Sequence, residues 1–186
     1  MDNGVSSYLR YLSGDDSGLV RIIHDYKDGL ILFLQQFTGD IHSAEDVMED
    51  TFVKLALRKP RFSGRSSFKT WLYAIARNTA GDYLRRHRHL QTISQEELAE
   101  LSMEEANLER QLLRQEQKIQ LRRCLARLNP EYRQVLHLSF FDGFSNAEIG
   151  VIMGKSKRQI ENLIYRAKQS LRTQLEKEGF TYEELS

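Results

Sequence analysis

Three groups of side chains in this sequence have types and spacings that suit chemistry with another macromolecule. The first lies in Phe144–Arg172, FSNAEIGVIMGKSKRQIENLIYRAKQSLR. There Arg158, Glu161, Asn162, Tyr165, Arg166 and Gln169 recur on one helical face, with Lys155, Lys157 and Gln159 at its start. Arginine and asparagine hydrogen-bond base edges in a DNA major groove. The second group is Glu45, Asp46, Glu49 and Asp50, carboxylates on one side of a helix. Such a face is either solvated and complementary to the helix N-terminus, or a docking surface for a basic partner. The third is the basic loop Arg61–Ser67, which contains Phe62, with the line Asn78, Asp82, Arg85 and His89 at helical spacing. Arg77, Arg86 and Arg88 flank that line, and Arg85-Arg86-His87-Arg88-His89 is the densest positive run. Cations at a helix C-terminus complement its dipole. Beside an aromatic-containing loop they also suit single-stranded nucleic acid, where cations follow phosphates and rings stack on bases.

No arrangement for catalysis stands out. The acidic cluster sits on a continuous helix and does not converge on a pocket. The five histidines are scattered, and Cys124 is the sole cysteine, on an apolar face with Leu121, Leu125 and Leu128. It reads as a small core residue. No catalytic residue, cofactor or metal is therefore expected, and the chain reads as a non-enzyme. No stretch is apolar enough to span a membrane and Met1–Leu12 has no signal-peptide pattern, so membrane insertion is not expected.

The elements that must position these groups are helices. Hydrophobic content is 40% with only two prolines, and no run alternates like a strand. Leu19, Ile22, Ile23, Tyr26, Leu30, Phe33, Leu34 and Phe37 form one stripe. A second helix buries Ala44, Val47, Met48, Thr51, Phe52 and Leu55, with Ser43 and Asp46 as its capping box. Lys59-Pro60 breaks it, and Ser67 caps a long helix to about Arg88. That helix buries Phe68, Leu72, Ile75, Ala76 and Thr79, with Trp71 alongside. Asn129 caps a helix with Pro130 at its first position. Val135, Leu136, Leu138 and Phe141 build the core there. In Phe144–Arg172, Ile149 and Met153 point inward and Gly150 allows a close approach by the second helix. Gly154 supplies the turn and Ser156 caps that second helix, whose inner face is Ile160, Leu163, Ile164, Ala167 and Leu171. This is the pattern of a helix-turn-helix.

Charge divides the chain. Residues 1–90 hold 13 Lys/Arg against 11 Asp/Glu, residues 91–112 hold one against six, and residues 113–186 hold 13 against nine. The reading is all-α: two small helical domains, 1–90 and 113–186, with separate cores, joined by a flexible acidic linker at 91–112.

Two motif sets carry a family resemblance. Ser43-Ala44-Glu45-Asp46-Val47 through Asp50-Thr51-Phe52, then Phe68-Lys69-Thr70-Trp71-Leu72-Tyr73-Ala74-Ile75-Ala76-Arg77-Asn78 and Asp82-Tyr83-Leu84-Arg85-Arg86, form the first. Leu128-Asn129-Pro130-Glu131-Tyr132-Arg133-Gln134-Val135 through Tyr165-Arg166-Ala167-Lys168 form the second. The chain resembles bacterial sigma factors of the extracytoplasmic-function (ECF) group over about Gly18–His89 and Leu113–Leu175. The resemblance implies a first domain like sigma domain 2 and a cytoplasmic partner of core RNA polymerase that directs it to promoters and helps open the duplex. It implies that Glu45, Asp46, Glu49 and Asp50 dock on the coiled coil of the largest polymerase subunit. It implies that Phe62, Arg65, Ser66, Lys69, Asn78, Asp82, Arg85 and Arg86 meet the −10 element and its non-template strand. Lys155, Lys157, Arg158, Gln159, Glu161, Asn162, Tyr165 and Arg166 would read the −35 duplex. The acidic linker would run through the RNA exit region. An anti-sigma factor is a further implied partner; a small-molecule substrate is not. The core-facing residues keep the family pattern. The chain departs from that pattern at the groove-facing Lys157, Arg158 and Glu161 and at the inner Leu163, so the −35 sequence read is this chain's own. The competing reading, a helix-turn-helix repressor or activator with an N-terminal interaction domain, leaves the acidic helix and the basic loop unexplained.

Overall fold

A computed structural model describes residues 3–87 and 120–179. The elements are α1 (Asn3–Leu12), α2 (Ser17–Thr38), α3 (Ile41–Arg58), α4 (Phe68–His87), α5 (helical residues 120–126), α6 (Pro130–Leu136) running into a π-helical turn (His137–Phe141), α7 (Asn146–Met153) and α8 (Lys157–Lys177). Among the described residues there is no strand, so the chain is all-α as expected. The linker expected at 91–112, Arg88 and His89 lie outside the described residues.

The first domain packs α2 on α3 and lays α4 across both. Ile22, Leu30, Phe33, Leu34, Val47, Leu55, Phe68 and Leu72 are fully buried, each worth about 1.5–3 kcal/mol of transfer free energy. Helix α1 closes one end: the Tyr8 hydroxyl donates to the Pro60 carbonyl at 2.7 Å and Tyr11 to that of Ala56 at 3.0 Å. Those bonds satisfy carbonyls around the C-terminus of α3 and fix the start of the basic loop.

The cap of α3 differs from the sequence reading. Gly39 ends α2 in the left-handed region (φ 86°) and throws Asp40 into extended geometry. Asp40 Oδ1 then accepts from the Ser43 N–H at 2.8 Å, and the helix starts at Ile41. Aspartate caps as well as serine, and the upstream carboxylate reaches the orphan N–H groups first.

In the second domain the caps expected at Asn129 and Ser156 are present, and Ser145 adds one that the sequence reading did not assign. Asn129 Oδ1 accepts from the Glu131 N–H at 2.9 Å, and Pro130 follows it. Ser145 with Glu148, and Ser156 with Gln159, form reciprocal capping boxes. Gly154 turns at φ 65°. Gly150 is tightly enclosed, but mostly by the turn: a Cβ there would meet the Lys155 carbonyl oxygen at 2.7 Å and Ile160 only at 3.9 Å. The expectation for Phe141 fails. The π turn, closed by Asp142 N–H to His137 O at 3.1 Å, inserts an extra residue per turn. Phe140 and Phe141 rotate outward, 58% and 69% exposed, and Phe144 takes the buried place.

The cores are not separate. Helix α4 packs on α7, and α2 on α6 and the π turn. Buried residues of both halves form one continuous cluster. The seam runs through Tyr73, whose ring meets Phe144 edge-on at 5.0 Å and Phe33 at 5.1 Å. The periodicity of α4 marks one core face; Tyr73 lies off it, against a partner remote in sequence.

Candidate nucleic-acid and polymerase interfaces

Helix α8 is anchored by Ile160 and Ala167, both buried, with Leu163, Ile164 and Leu171 half-buried. Its outer face is therefore fixed relative to α7. Lys157, Arg158, Gln159, Glu161, Asn162, Tyr165 and Arg166 are all exposed on it. They are not equally free. Gln159 Oε1 accepts from the Ser156 N–H at 2.8 Å as part of the cap. Lys157 and Glu161 sit 4.0 Å apart, and Lys155, half-buried, reaches Glu131 at 3.3 Å. Arg158, Asn162, Tyr165 and Arg166 make no hydrogen bond or ion pair among the described residues. Four unengaged side chains thus project from the first three turns of a helix whose N-terminal end carries positive dipole charge.

In the first domain the loop is held at both ends. Lys59 takes a left-handed conformation (φ 43°) and Gly64 turns at φ 71°. Phe62 is half-buried, edge-on to Trp71 at 5.3 Å and to Phe68 at 5.9 Å. Arg61 and Arg65 are exposed, Ser66 half-buried. Beyond the loop, α4 presents Asn78 to solvent. Asp82 is engaged by the Lys54 ammonium at 3.1 Å and by Arg85. The Lys54 hydrogen bond and charge, aided by Arg85, hold its carboxyl below the usual range. Arg86 reaches Asp50 at 3.3 Å. Phe37, Arg77, Asn78, Gly81, Asp82 and Arg85 line an open cleft of about 410 Å³.

Lys69 departs from its neighbours. Its ammonium donates to the Asp142 carbonyl at 3.0 Å and lies 4.5 Å from the Phe144 ring centroid. It belongs to the seam here, apart from the surface formed by Phe62, Arg65, Ser66, Asn78 and Arg85.

On α3, Asp46 and Glu49 are exposed and make no ion pair among the described residues. Glu45 has His42 at 3.7 Å, and Asp50 has Arg86. Val53 and Leu57 continue this outer face, 51% and 80% exposed. Sequence reasoning missed them, although their spacing of four and eight residues from Glu49 places them on that face. It also missed Lys54, which ties Asp82 to α3. Among the described residues no three His, Cys, Asp or Glu side chains converge as metal ligands, and no helix is long and apolar enough to cross a membrane.

A four-helix N-terminal domain is thus followed by a helix-turn-helix. The model of Sigma-70 region 2 matches residues 22–90 and that of Sigma-70, region 4 matches residues 118–171. The chain belongs to the sigma-70 family and, with its relatives, to the ECF RNA polymerase sigma factors. It is 27% identical over 170 residues to the ECF RNA polymerase sigma factor SigW of Bacillus subtilis, covering 87% of this chain and 91% of that one. It is 29% identical over 164 residues to the ECF RNA polymerase sigma factor BldN of Streptomyces coelicolor, covering 87% of this chain and 62% of that longer one. The fold matches the sigma factor RpoE from Bartonella quintana, solved with the anti-sigma factor NepR, at TM-score 0.66 and 24% identity, over 84% of this chain and 95% of that one. It matches CnrH, solved with the cytosolic domain of CnrY, at TM-score 0.66 and 21% identity, over 94% and 98%.

Proposed function

We propose that this sigma factor divides promoter recognition between its halves as follows. Arg158, Asn162, Tyr165 and Arg166 read the −35 duplex from the major groove, with Lys155, Lys157, Gln159 and Glu161 holding the helix start in register. Phe62, Arg65, Ser66, Asn78, Asp82, Arg85 and Arg86 follow the −10 element and its opened strand. Glu45, Asp46, Glu49 and Asp50 dock on core polymerase, and Val53 and Leu57 extend that surface. The boundaries 1–90, 91–112 and 113–186 mark the working units. The observation that carries this reading is the set of four unengaged side chains on α8, held outward by a buried Ile160. Base-edge contacts need donors free of internal partners. The protein acts by binding, as a cytoplasmic subunit without catalytic residues. An anti-sigma factor is its regulator, since RpoE of Bartonella quintana was solved with one. Run-off transcription with purified core polymerase on a genomic fragment library tests the reading and yields the promoter. Discrete starts that depend on this chain are expected; a library giving none would refute it.

A further inference from the structure

Helix α1 carries none of the side chains assigned to polymerase or promoter, yet it is built closely into the first domain. Two glycines let it in. A Cβ at Gly4 would meet Phe68 Cδ1 at 2.3 Å, and one at Gly18 of α2 would meet the Ser7 carbonyl oxygen at 2.2 Å. The backbone of α1 therefore lies directly against the Phe68 ring and α2. Seated there, Tyr8 is 1% exposed, and its hydroxyl donates to the Pro60 carbonyl at 2.7 Å, across 52 residues. Its ring meets Phe68 at 5.7 Å and Trp71 at 5.3 Å. Phe62, from the basic loop, closes the same cluster, 5.3 Å from Trp71 and 5.9 Å from Phe68. Tyr11, one turn on, donates to the Ala56 carbonyl and has the Lys59 ammonium 4.8 Å over its ring.

The loop needs such outside support. Lys59 enters it at φ 43°, a conformation costly to a residue with a Cβ. Among the described residues, 60–66 make no backbone–backbone hydrogen bond. The Tyr8 bond and the packing of Phe62 hold the entry half instead. Burial, with Tyr11 beside it, pushes the Tyr8 pKa up to about 12, so the hydroxyl remains a donor.

We propose that Tyr8 is a positioning residue for the opened −10 strand: it holds the loop 61–67 in the conformation from which Phe62, Arg65 and Ser66 meet unpaired bases and phosphates. The inference rests on the assignment of that loop to the −10 strand above. Tyr8 itself does not touch DNA. It acts through the Pro60 carbonyl, which fixes where the chain leaves α3, and through Trp71, against which Phe62 is set. A loop freed of this bond samples other conformers, and the apparent dissociation constant rises by the inverse of the competent fraction.

The test uses the full chain assembled with core polymerase and two probes taken from the promoter that run-off transcription recovers. One is a single-stranded non-template oligonucleotide across the −10 element; the other is a −35 duplex. Tyr8→Phe keeps the ring and removes the bond. Affinity for the strand should fall about two- to tenfold, the worth of one neutral hydrogen bond, with −35 affinity unchanged. Arg65→Ala should cost less in the Tyr8→Phe chain than in the parent, because both act at one contact. A merely structural tyrosine would lower the melting temperature and leave the two costs additive. Unchanged strand affinity, additive costs, or equal losses on both probes overturns the proposal. Trp71 is the sole tryptophan, so acrylamide quenching of its fluorescence reads the loop in the free chain without any DNA. Quenching should rise in Tyr8→Phe; quenching equal to the parent's overturns the positioning. Arg65→Ala without effect in the parent chain would refute the strand assignment on which this rests, whereas a clear Arg65→Ala loss with Tyr8→Phe neutral refutes the role of Tyr8 alone.

Discussion

The Tyr73 hydroxyl donates to Asp142 Oδ1 at 3.0 Å across 69 residues of sequence, with Tyr73 only 1% exposed. Burial, with Asp142 beside it, pushes the phenol's pKa up, so it stays a donor. A hydrogen bond to a charged acceptor contributes about 1.5–3 kcal/mol. A double-mutant cycle of Tyr73→Phe and Asp142→Ala should therefore show a coupling of about 1–3 kcal/mol in urea denaturation. Additive losses would mean the two halves do not meet in solution.

The same seam sets a pH dependence. Burial, with Lys69 nearby, lowers the His137 pKa from 6.5 to about 4. The unfolded chain takes up a proton below about pH 6.5 that the folded chain refuses until about pH 4. Stability from this group falls as pH drops through that window. Asp142 acts with the opposite sign, since burial raises its pKa and the folded state holds its proton more tightly. Lys69 is the other charge acting on the ring, and Tyr73 is linked to it only through Asp142. In Asp142→Ala the opposing contribution of Asp142 is gone, so the loss between pH 6.5 and 4 should be clearer than in the parent chain. An imidazole midpoint near 4 by NMR is expected; one near 6.5 would place the ring in water.

Local rules explain most of what was legible. Caps at Asn129 and Ser156, the turn at Gly154 and the buried face of α8 depend on residues within one or two turns. Their chemistry is complete in a short window of sequence. The seam was not legible, because Tyr73 looks like any aromatic beside a core stripe until Phe144 and Asp142 arrive from another domain. Phe141 was misplaced for a related reason. A π turn has no strong local signature, and one inserted residue moves every later side chain by about a quarter turn. The candidate site was legible by type and less so by availability. The Ser156-x-x-Gln159 spelling of a capping box was there to be read and was not used, whereas nothing in the spelling shows that Lys69 faces Asp142.

The helix-turn-helix geometry makes two glycines unequal. At Gly150 an alanine Cβ would meet a backbone oxygen at 2.7 Å, which the turn cannot easily yield. Gly154 has open space but a φ of 65°. Gly150→Ala should cost about 1–3 kcal/mol through overpacking. Gly154→Ala should cost about 1–2 kcal/mol through left-handed strain. Thermal unfolding measures both. A neutral Gly150→Ala would show that the turn is looser than this geometry.

On α3, Asp46 and Glu49 point into solvent while Asp50 holds Arg86. Reversing Asp46 and Glu49 to lysine should keep helicity and weaken core-polymerase binding by about 2–5 kcal/mol, through lost attraction and new repulsion. Circular dichroism and a binding titration separate the two effects. Asp50→Lys should also loosen α3 from α4. Unchanged polymerase affinity in the double variant would remove this face from the interface.

The two DNA tasks should separate by mutation. Arg158 and Asn162 lie one turn apart on α8, exposed and unengaged, opposite buried Ile160. Each good base contact supplies about 1–3 kcal/mol of discrimination. Alanine at both should weaken recognition of a duplex −35 element. It should barely affect a template with a pre-opened −10 bubble and no −35 element. Asn78→Ala with Arg65→Ala should do the reverse, because those side chains lie on the loop and on α4, away from the groove-facing helix. Lys69 is unsuitable for this comparison, since its removal also breaks its bond to the Asp142 carbonyl in the seam. Both variant sets belong on both templates at one salt concentration, because phosphate contacts make affinity salt-dependent. Equal losses on both templates, with the proteins folded and polymerase-bound, would show that the two surfaces do not divide the work.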